Sequence, residues 1–145
     1  METRELNDHD LAQLLTLYTQ LHDNDFPTID SRLKDIWCGI LSDTNHHIIG
    51  SFVDEKLVSS CVIIIIPNLT NNQRPYALIE NVITDMSHRR KGYAASVLNH
   101  AKQIAIAENC YKIMLMTGSK SESVFNLYEK SGYNRNNKTA FIQWL

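Results

Sequence analysis

The chain has 145 residues, of which 43% are hydrophobic and 21% are charged, and this size and composition predict one globular domain spanning residues 1–145. Its formal net charge of −2 gives no overall electrostatic field toward anionic polymers or surfaces. A nucleic-acid-binding or membrane-surface function is therefore not expected.

Hydrophobic periodicity predicts a mixed α/β fold in which helices cover both faces of a central sheet. In chain order, the predicted elements are a strand at 4–7, helices ending near 22 and 41, strands at 46–53, 57–67 and 76–84, a helix at 93–108, a strand at 111–116, a helix ending near 130 and a strand at 138–145. The runs 61–66 and 111–116 do not alternate, so both faces of these strands should be buried. The order implies an antiparallel hairpin followed by a parallel crossover.

Polar residues mark the starts of the predicted helices. The candidate N-terminal caps are Asp8 or Asp10 for the first helix, Asp30 or Ser31 for the second, and Ser121 or Ser123 for the last. Gly132 is a candidate stop for the last helix. The segment 22–27 is a loop by composition.

Cysteine usage and the apolar runs favour a cytoplasmic protein. Cys38, Cys61 and Cys110 are odd in number, far apart and without metal-ligand spacing, so we expect unpaired thiols in a reducing compartment and no metal site. Residues 1–5 are charged and are not followed by the apolar core of a signal peptide. The apolar run 61–67 is too short to span a bilayer.

The most informative stretch is the strand at 76–84 with the turn and helix that follow it. Arg89, Arg90 and Lys91 precede Gly92, after which small residues begin an amphipathic helix. The first N–H groups of a helix have no intrahelical partner, and the helix dipole favours negative charge there. Glycine also lets a ligand approach the backbone closely. The stretch predicts a site for one anionic ligand, although a solvated basic turn would have the same sequence.

Two motifs in this half of the chain resemble those of one enzyme family. Arg89-x-x-Gly92-x-Ala94, placed after a strand, resembles the acyl-CoA signature of the GNAT N-acetyltransferase superfamily. The segment from Val124 to Tyr133 resembles the family's "LYEKxGF" segment, with tyrosine in place of the usual phenylalanine. Both stand in the family's order. The resemblance covers residues 76–145 well and the first half in outline.

The resemblance implies the GNAT fold and transfer of an acetyl group from acetyl-CoA to a primary amine by direct attack in a ternary complex. The two N-terminal helices and their loop would form the substrate-specificity region. The residues implied to contact the cofactor are Val82, Ile83, Thr84, Arg89, Arg90, Lys91, Gly92, Tyr93, Ala94, Ala95 and Ser121. Backbone N–H groups of residues 82–84 would polarise the acetyl carbonyl, where a bulge splays the strand from its parallel neighbour. An ordinary buried strand would have the same sequence.

Tyr128 and Glu80 are the predicted catalytic residues. Tyr128 resembles the tyrosine that GNAT enzymes use as a general acid toward the CoA sulfur, since a phenol stays protonated at neutral pH. The alternative is a core tyrosine on a helix face. Glu80 is the candidate base and is expected to share a strand face with Leu78, Val82 and Thr84. The alternatives are a salt bridge and a contact with the ammonium group of the substrate.

The acceptor amine stays open at this level: a small metabolite, an aminoglycoside, a polyamine, an amino acid or a protein amine would all suit. Glu80-Asn81 and residues 110–113 locally resemble glucosamine-phosphate N-acetyltransferases. A non-catalytic acyl-CoA-binding sensor or structural subunit is the alternative from another class. Nucleic-acid binding through residues 89–91 is opposed by the net charge. The strand at 138–145 would be available to pair across a homodimer interface.

Overall fold

The computed structural model describes residues 1–22 and 24–145, which form two compact units, residues 1–115 and 116–145. The first unit contains β1 (Glu2–Glu5), α1 (Leu11–Tyr18), α2 (Ser31–Ser42), β2 (His46–Val53), β3 (Lys56–Ile66), β4 (Tyr76–Thr84), α3 (Tyr93–Ala107) and β5 (Ile113–Leu115). The second contains α4 (Glu122–Lys130). Residue 23, within the predicted loop at 22–27, lies outside the described residues. No helix in the described part of the chain is long and apolar enough to cross a membrane.

The five strands of the first unit form one sheet in the order β1-β2-β3-β4-β5. Neighbouring strands are antiparallel from β1 to β4, and β5 runs parallel to β4 after the α3 crossover. The predicted hairpin and parallel crossover are thereby confirmed. β2 and β4 have the predicted bounds, β3 begins and ends one residue earlier than predicted, and α3 ends one residue earlier than predicted.

Helices cover both faces of this sheet. Consecutive strand residues point to opposite faces. On β3, Val62 belongs to an apolar cluster with Leu14 of α1 and Trp37 of α2, whereas the Cys61 thiol lies 3.6 Å from the Val97 carbonyl oxygen of α3. The first two helices therefore pack on one face and α3 on the other. The non-alternating run of β3 is buried on both sides, as predicted.

The first strand ends earlier than predicted, because Asn7 begins a helical turn. Its side chain accepts a hydrogen bond from the His9 N–H at 3.0 Å, and its own N–H donates to the Asp10 carboxylate at 2.8 Å. This reciprocal capping opens a 3₁₀ turn at residues 8–10 directly after β1. The helix that follows ends at Tyr18 instead of near residue 22.

Two of the predicted helix signals are confirmed. The Asp30 carboxylate accepts a hydrogen bond from the Leu33 N–H at 2.9 Å and so caps α2. Gly132 follows the end of α4 with a left-handed φ of +96°, and its N–H donates to the Glu129 carbonyl oxygen at 3.0 Å. A residue without a Cβ suits this conformation at a helix end.

The predicted strand at 138–145 is wrong. This segment pairs with no strand among the described residues, and Phe141 and Trp144 are 91% and 85% exposed. An apolar and aromatic composition favours a strand but supplies no partner strand, and an unpaired strand is not stable. β5 is likewise shorter than predicted and only half-buried on both faces, since it lies at the edge of the sheet. Pairing of residues 138–145 across a dimer interface has no strand in the structure to support it.

Candidate active site

A bulge in β4 sets the geometry of the central strand. Glu80 stands opposite Val62 and Ile83 stands opposite Ser60, so β4 has one more residue than β3 between these pairs. Asn81 lies within the bulge with a left-handed φ of +51°, a conformation that asparagine tolerates better than most residues. The extra residue reverses the faces of all the residues beyond it.

The bulge corrects one prediction about Glu80. Beyond it, Ile83 joins the apolar cluster under α1 and α2, and the Thr84 hydroxyl hydrogen-bonds with the Ser59 hydroxyl at 2.8 Å on the opposite face. The prediction that Glu80, Val82 and Thr84 share one face is therefore wrong, because it assumed unbroken alternation. Glu80 instead shares a face with Ile83 and points toward the side of the first two helices.

The carboxyl half of β4 is open on its β5 side. The parallel ladder joins residues 77–79 to β5 and stops there, and within the described residues no β5 partner stands beside residues 80–84. A backbone N–H group on the open side of such a strand can donate to a carbonyl oxygen of a ligand. Val82, Ile83 and Thr84, predicted to act in this way, lie in the open half.

Hydrogen bonds to Asp85 fix the turn that leaves β4. Its carboxylate lies 2.9 Å from His88 Nδ1 and accepts from the Ser87 N–H and from Gln20 Nε2, each at 3.0 Å. These partners, His88 first, hold the pKa of Asp85 well below its usual range. The Gln20 side chain also accepts from the Met86 N–H at 2.9 Å. Gln20, which lies just beyond the end of α1, therefore links this turn to the first helix through two hydrogen bonds.

Two basic side chains of the turn donate hydrogen bonds to nearby backbone carbonyl oxygens. Arg89 Nε donates to the Thr84 carbonyl oxygen at 3.3 Å, and Lys91 Nζ donates to the Ser87 carbonyl oxygen at 3.1 Å. The three cationic residues at 89–91 are all exposed. They surround the start of α3 with positive charge that is not neutralised by an ion pair within the described residues.

The N-terminus of α3 presents backbone donors that the helix itself does not use. Arg90 and Gly92 adopt left-handed φ values of +60° and +87°, and Gly92 directly precedes the helix. The first helical bond runs from the Ser96 N–H to the Gly92 carbonyl oxygen at 3.0 Å, so the N–H groups of residues 93–95 come before it. No side chain caps them. This end of the helix suits a phosphate or a similar anion.

A cavity of about 340 Å³ lies on the α1–α2 face of the sheet. Its apolar walls come from α1, α2, β2 and β3 and include Leu11, Leu15, Leu33, Ile36, Trp37 and Ile64. Its polar lining consists of Tyr18, His46, Glu80 and Asn81. Glu80 is exposed, and its side chain makes no hydrogen bond or ion pair with any other described residue, so its carboxylate is available to a ligand. Burial lowers the pKa of His46, which keeps this imidazole neutral at pH 7.

Tyr18 connects the cavity wall to the bulge. Burial raises the pKa of its phenol to about 12. The hydroxyl lies beside the side chains of Asn81 and Ser60 and makes no hydrogen bond of good geometry within the described residues. The bulged part of β4 therefore packs against the neutral, buried phenol of Tyr18.

The second unit carries the two remaining predicted residues. Tyr128 is half-buried on α4, and its ring meets that of Tyr133 edge-on with centroids 6.1 Å apart. Ser121 stands at the N-terminal cap position of α4, where its hydroxyl pairs with the Ser123 hydroxyl at 2.7 Å and does not cap the helix. Glu80, the open half of β4 and the basic turn thus lie in the first unit, whereas Tyr128 and Ser121 lie in the second.

Sequence reasoning missed four residues that shape this region. Gln20, Trp37, His46 and Asn81 each come from a different segment, and the first three carry no local motif. Only Asn81 had a usable signal, since asparagine in an otherwise β-branched and apolar strand often marks a left-handed residue. The cavity itself depends on how α1 and α2 pack on the sheet, which periodicity does not give.

Comparison with known proteins finds similarity to acetyltransferases. The model of the Acetyltransferase (GNAT) family matches residues 11–133. Streptothricin acetyltransferase of Escherichia coli is 30% identical over 92 residues, which are 63% of this chain and 49% of that protein. Glucosamine 6-phosphate N-acetyltransferase of Trypanosoma brucei brucei is 31% identical over 78 residues, which are 54% of this chain and 51% of that protein. The chain thus spans about half the length of these curated relatives.

A solved structure is similar over the whole chain. The protein named "Putative acetyltransferase from Agrobacterium tumefaciens str. C58" matches with a TM-score of 0.91 and 33% sequence identity, covering 99% of this chain and 100% of that chain. The match confirms the predicted fold, a mixed sheet with helices on both faces.

Proposed function

Because the chain belongs to the acetyltransferase (GNAT) family, we propose that it transfers an acetyl group from acetyl-CoA to the primary amine of a small molecule. The observation that carries the proposal is the open half of β4, which leads through an anchored basic turn into the uncapped start of α3. Carbonyl-polarising donors and an anion site thereby lie on one continuous stretch of chain. The names of the two curated relatives, both acetyltransferases of amine-bearing small molecules, support an acceptor of this size.

The residues at the start of α3 fit the diphosphate of acetyl-CoA. The N–H groups of residues 93–95 would donate to its oxygens, and the absence of a Cβ on Gly92 leaves the approach open. Arg89, Arg90 and Lys91 would add positive charge beside them. In the second unit, Ser121 is proposed as a further polar contact to the cofactor. Acetyl-CoA supplies an activated thioester carbonyl, and the remaining chemistry falls to the chain's own groups.

Transfer needs a proton removed from the amine and a thiolate stabilised as it leaves. Glu80 is proposed to accept the proton of the amine, directly or through water, as the nitrogen–carbon bond forms. N–H groups among Val82, Ile83 and Thr84 would stabilise the oxyanion, and Tyr128 would donate a proton to the sulfur as the carbon–sulfur bond breaks. No covalent enzyme intermediate is required, so the attack would be direct.

We also propose a cytoplasmic setting for this reaction. The structure leaves Cys38, Cys61 and Cys110 as free thiols, and free thiols persist best in a reducing compartment. Burial raises the pKa of the Cys61 thiol to about 12 and raises that of Cys110 as well. Neither is therefore a reactive nucleophile.

The test compares Glu80→Gln and Tyr128→Phe with the unchanged protein. Each variant should lose about a hundredfold in kcat for acetyl transfer, because each removes a proton-transferring group, while the Kd for acetyl-CoA changes by less than about twofold. Glu108→Gln, an exposed glutamate at the end of α3, is the matched control and should leave both constants unchanged. A protein that binds acetyl-CoA without measurable transfer to any amine would instead be a non-catalytic acyl-CoA sensor.

A further inference from the structure

The cavity beside Glu80 has a composition that restricts what it can hold. Leucine, isoleucine and valine side chains line most of it, and these aliphatic walls have no donors or acceptors to offer a ligand. Each hydroxyl of a sugar placed against such a wall would lose its hydrogen bonds to water without replacement. An apolar ligand body would instead be stabilised by removal of its surface from water.

The charge of the cavity is of one sign. Among the described residues that line it, Glu80 is the one carboxylate, and there is neither lysine nor arginine. The basic ring among these residues is that of His46, whose pKa is lowered by burial, so it stays neutral at pH 7. An ammonium group is matched by the Glu80 carboxylate, whereas a phosphate or carboxylate on the ligand would meet a like charge and no counter-charge.

The volume of the cavity suits a small ligand body. At about 340 Å³, it lies at the lower end of the roughly 300–1,000 Å³ typical of small-molecule sites. A compact body of one ring or a short alkyl chain fits this volume.

We infer that the acceptor is a small primary amine with an apolar aliphatic or aromatic body and with no phosphate, carboxylate or row of hydroxyl groups. This inference rests on the acetyl transfer proposed above and names its substrate class. The ammonium end pairs with Glu80 at the bulge of β4, and the apolar body lies against the leucine and isoleucine side chains of α1 and α2. Selectivity comes from wall chemistry and charge, not from a specific hydrogen-bond pattern.

The experiment measures binding and turnover for two matched sets of amines. Hexylamine and 2-phenylethylamine represent the proposed class, and glucosamine and glucosamine 6-phosphate represent polar and anionic amines of similar size. Binding is measured by calorimetry on the protein saturated with CoA, and kcat/KM by thiol release from acetyl-CoA. We expect the apolar amines to bind at least tenfold more tightly and to have the higher kcat/KM.

Two substitutions that each introduce a positive charge test the role of the cavity wall in binding the amine. Ile36 lines the cavity from α2 and is 54% exposed, and Ile106 on α3 is 60% exposed and is not part of the lining. Ile36→Arg should weaken hexylamine binding about tenfold, because it places a like charge beside the ammonium group. Ile106→Arg should leave hexylamine binding within about twofold, since its charge lies on another helix.

The outcomes separate this inference from the proposed function. Tighter binding or faster turnover of the sugar amines, or no binding of either set while acetyl-CoA still binds, would overturn the substrate class alone. Equal effects of the two arginine variants would also overturn it. Failure of acetyl-CoA itself to bind would instead remove the acetyl transfer on which the substrate class rests.

Discussion

Asn81 is the residue on which the shape of β4 depends, because its left-handed φ of +51° accommodates the bulge. A residue with a Cβ and no compensating side-chain amide costs roughly 1 kcal/mol in this conformation. Asn81→Ala should therefore lower the free energy of unfolding by about that amount, as measured by urea denaturation, and Asn81→Gly should not. Asn99→Ala, an exposed position inside α3, is the control and should be neutral or slightly stabilising. A neutral Asn81→Ala would mean that the bulge is not strained.

Asp10 makes the ion pair with the shortest distance among the described residues. Its carboxylate is bound by both ends of the Arg4 guanidinium at 2.7 and 3.0 Å, and Asp10 is 5% exposed. Asp10→Asn should destabilise the fold by about 2 kcal/mol, because it leaves a partly buried guanidinium without its counter-charge. The measurement is the urea midpoint at neutral pH.

The same arginine offers a matched control. Glu2 lies 3.6 Å from Arg4, but its side chain is 69% exposed. Glu2→Gln should therefore change the free energy of unfolding by less than about 0.5 kcal/mol. Similar losses for Glu2→Gln and Asp10→Asn would show that burial does not set the strength of these two pairs.

At the scale of elements, the connection from β4 to α3 is the structural unit of the proposed cofactor site. Gly92 precedes α3 with φ +87°, and a Cβ built there meets no atom within 4 Å. Gly92→Ala should therefore cost about 1 kcal/mol of stability through backbone strain alone. It should also weaken acetyl-CoA binding severalfold, because a strained turn repositions the N–H groups of residues 93–95. Calorimetric titration measures the second effect.

Gly118 gives the comparison for that variant. It has equally open surroundings and no left-handed φ. Gly118→Ala should leave both stability and acetyl-CoA binding nearly unchanged. A loss of acetyl-CoA affinity in both glycine variants, or in neither, would argue against a specific role for the backbone at the start of α3.

Among the helices and strands, the sequence predicts the bounds of several elements but not their pairing or long-range contacts. The bounds of β2 and β4, and those of α3 to within one residue, follow from periodicity, because each element buries apolar residues along its length. The segment 138–145 has a strand-like composition and no partner, and composition alone does not report pairing. The family resemblance predicts the bulge. It does not predict which residues share a face with Glu80, because that depends on the register between β4 and β3. The contacts of Gln20 and Tyr18 join segments more than 40 residues apart in sequence and leave no local signal.

For the whole molecule, acid stability should reflect two carboxylates. The Arg4 guanidinium lowers the pKa of Asp10, and His88, Ser87 and Gln20 lower that of Asp85. A folded pKa below the ordinary value of 3.8 adds stability that is fully present above that value and is lost as the pH falls below it. The unfolding free energy measured by urea denaturation should therefore fall progressively as the pH is lowered below about 4.

Removing both carboxylates tests this assignment. Asp10→Asn combined with Asp85→Asn should be less stable at neutral pH and should lose less additional stability on acidification, because neither amide titrates. Asp8→Asn combined with Asp54→Asn, two exposed positions, is the control and should keep the original slope. An unchanged slope in the first double variant would assign acid sensitivity to other groups.

The central claim is that the chain binds acetyl-CoA and uses it, and thermal unfolding with and without acetyl-CoA tests the binding most directly. A ligand present at a hundred times its Kd adds about 2.7 kcal/mol to the folded state, which should raise the Tm by roughly 5 to 10 °C for a domain of this size. A matched concentration of ATP, which has phosphates but no pantetheine arm or thioester, should raise it much less. No shift with acetyl-CoA at about millimolar concentration, or an equal shift with ATP, would contradict the assignment of the β4–α3 connection as an acetyl-CoA site.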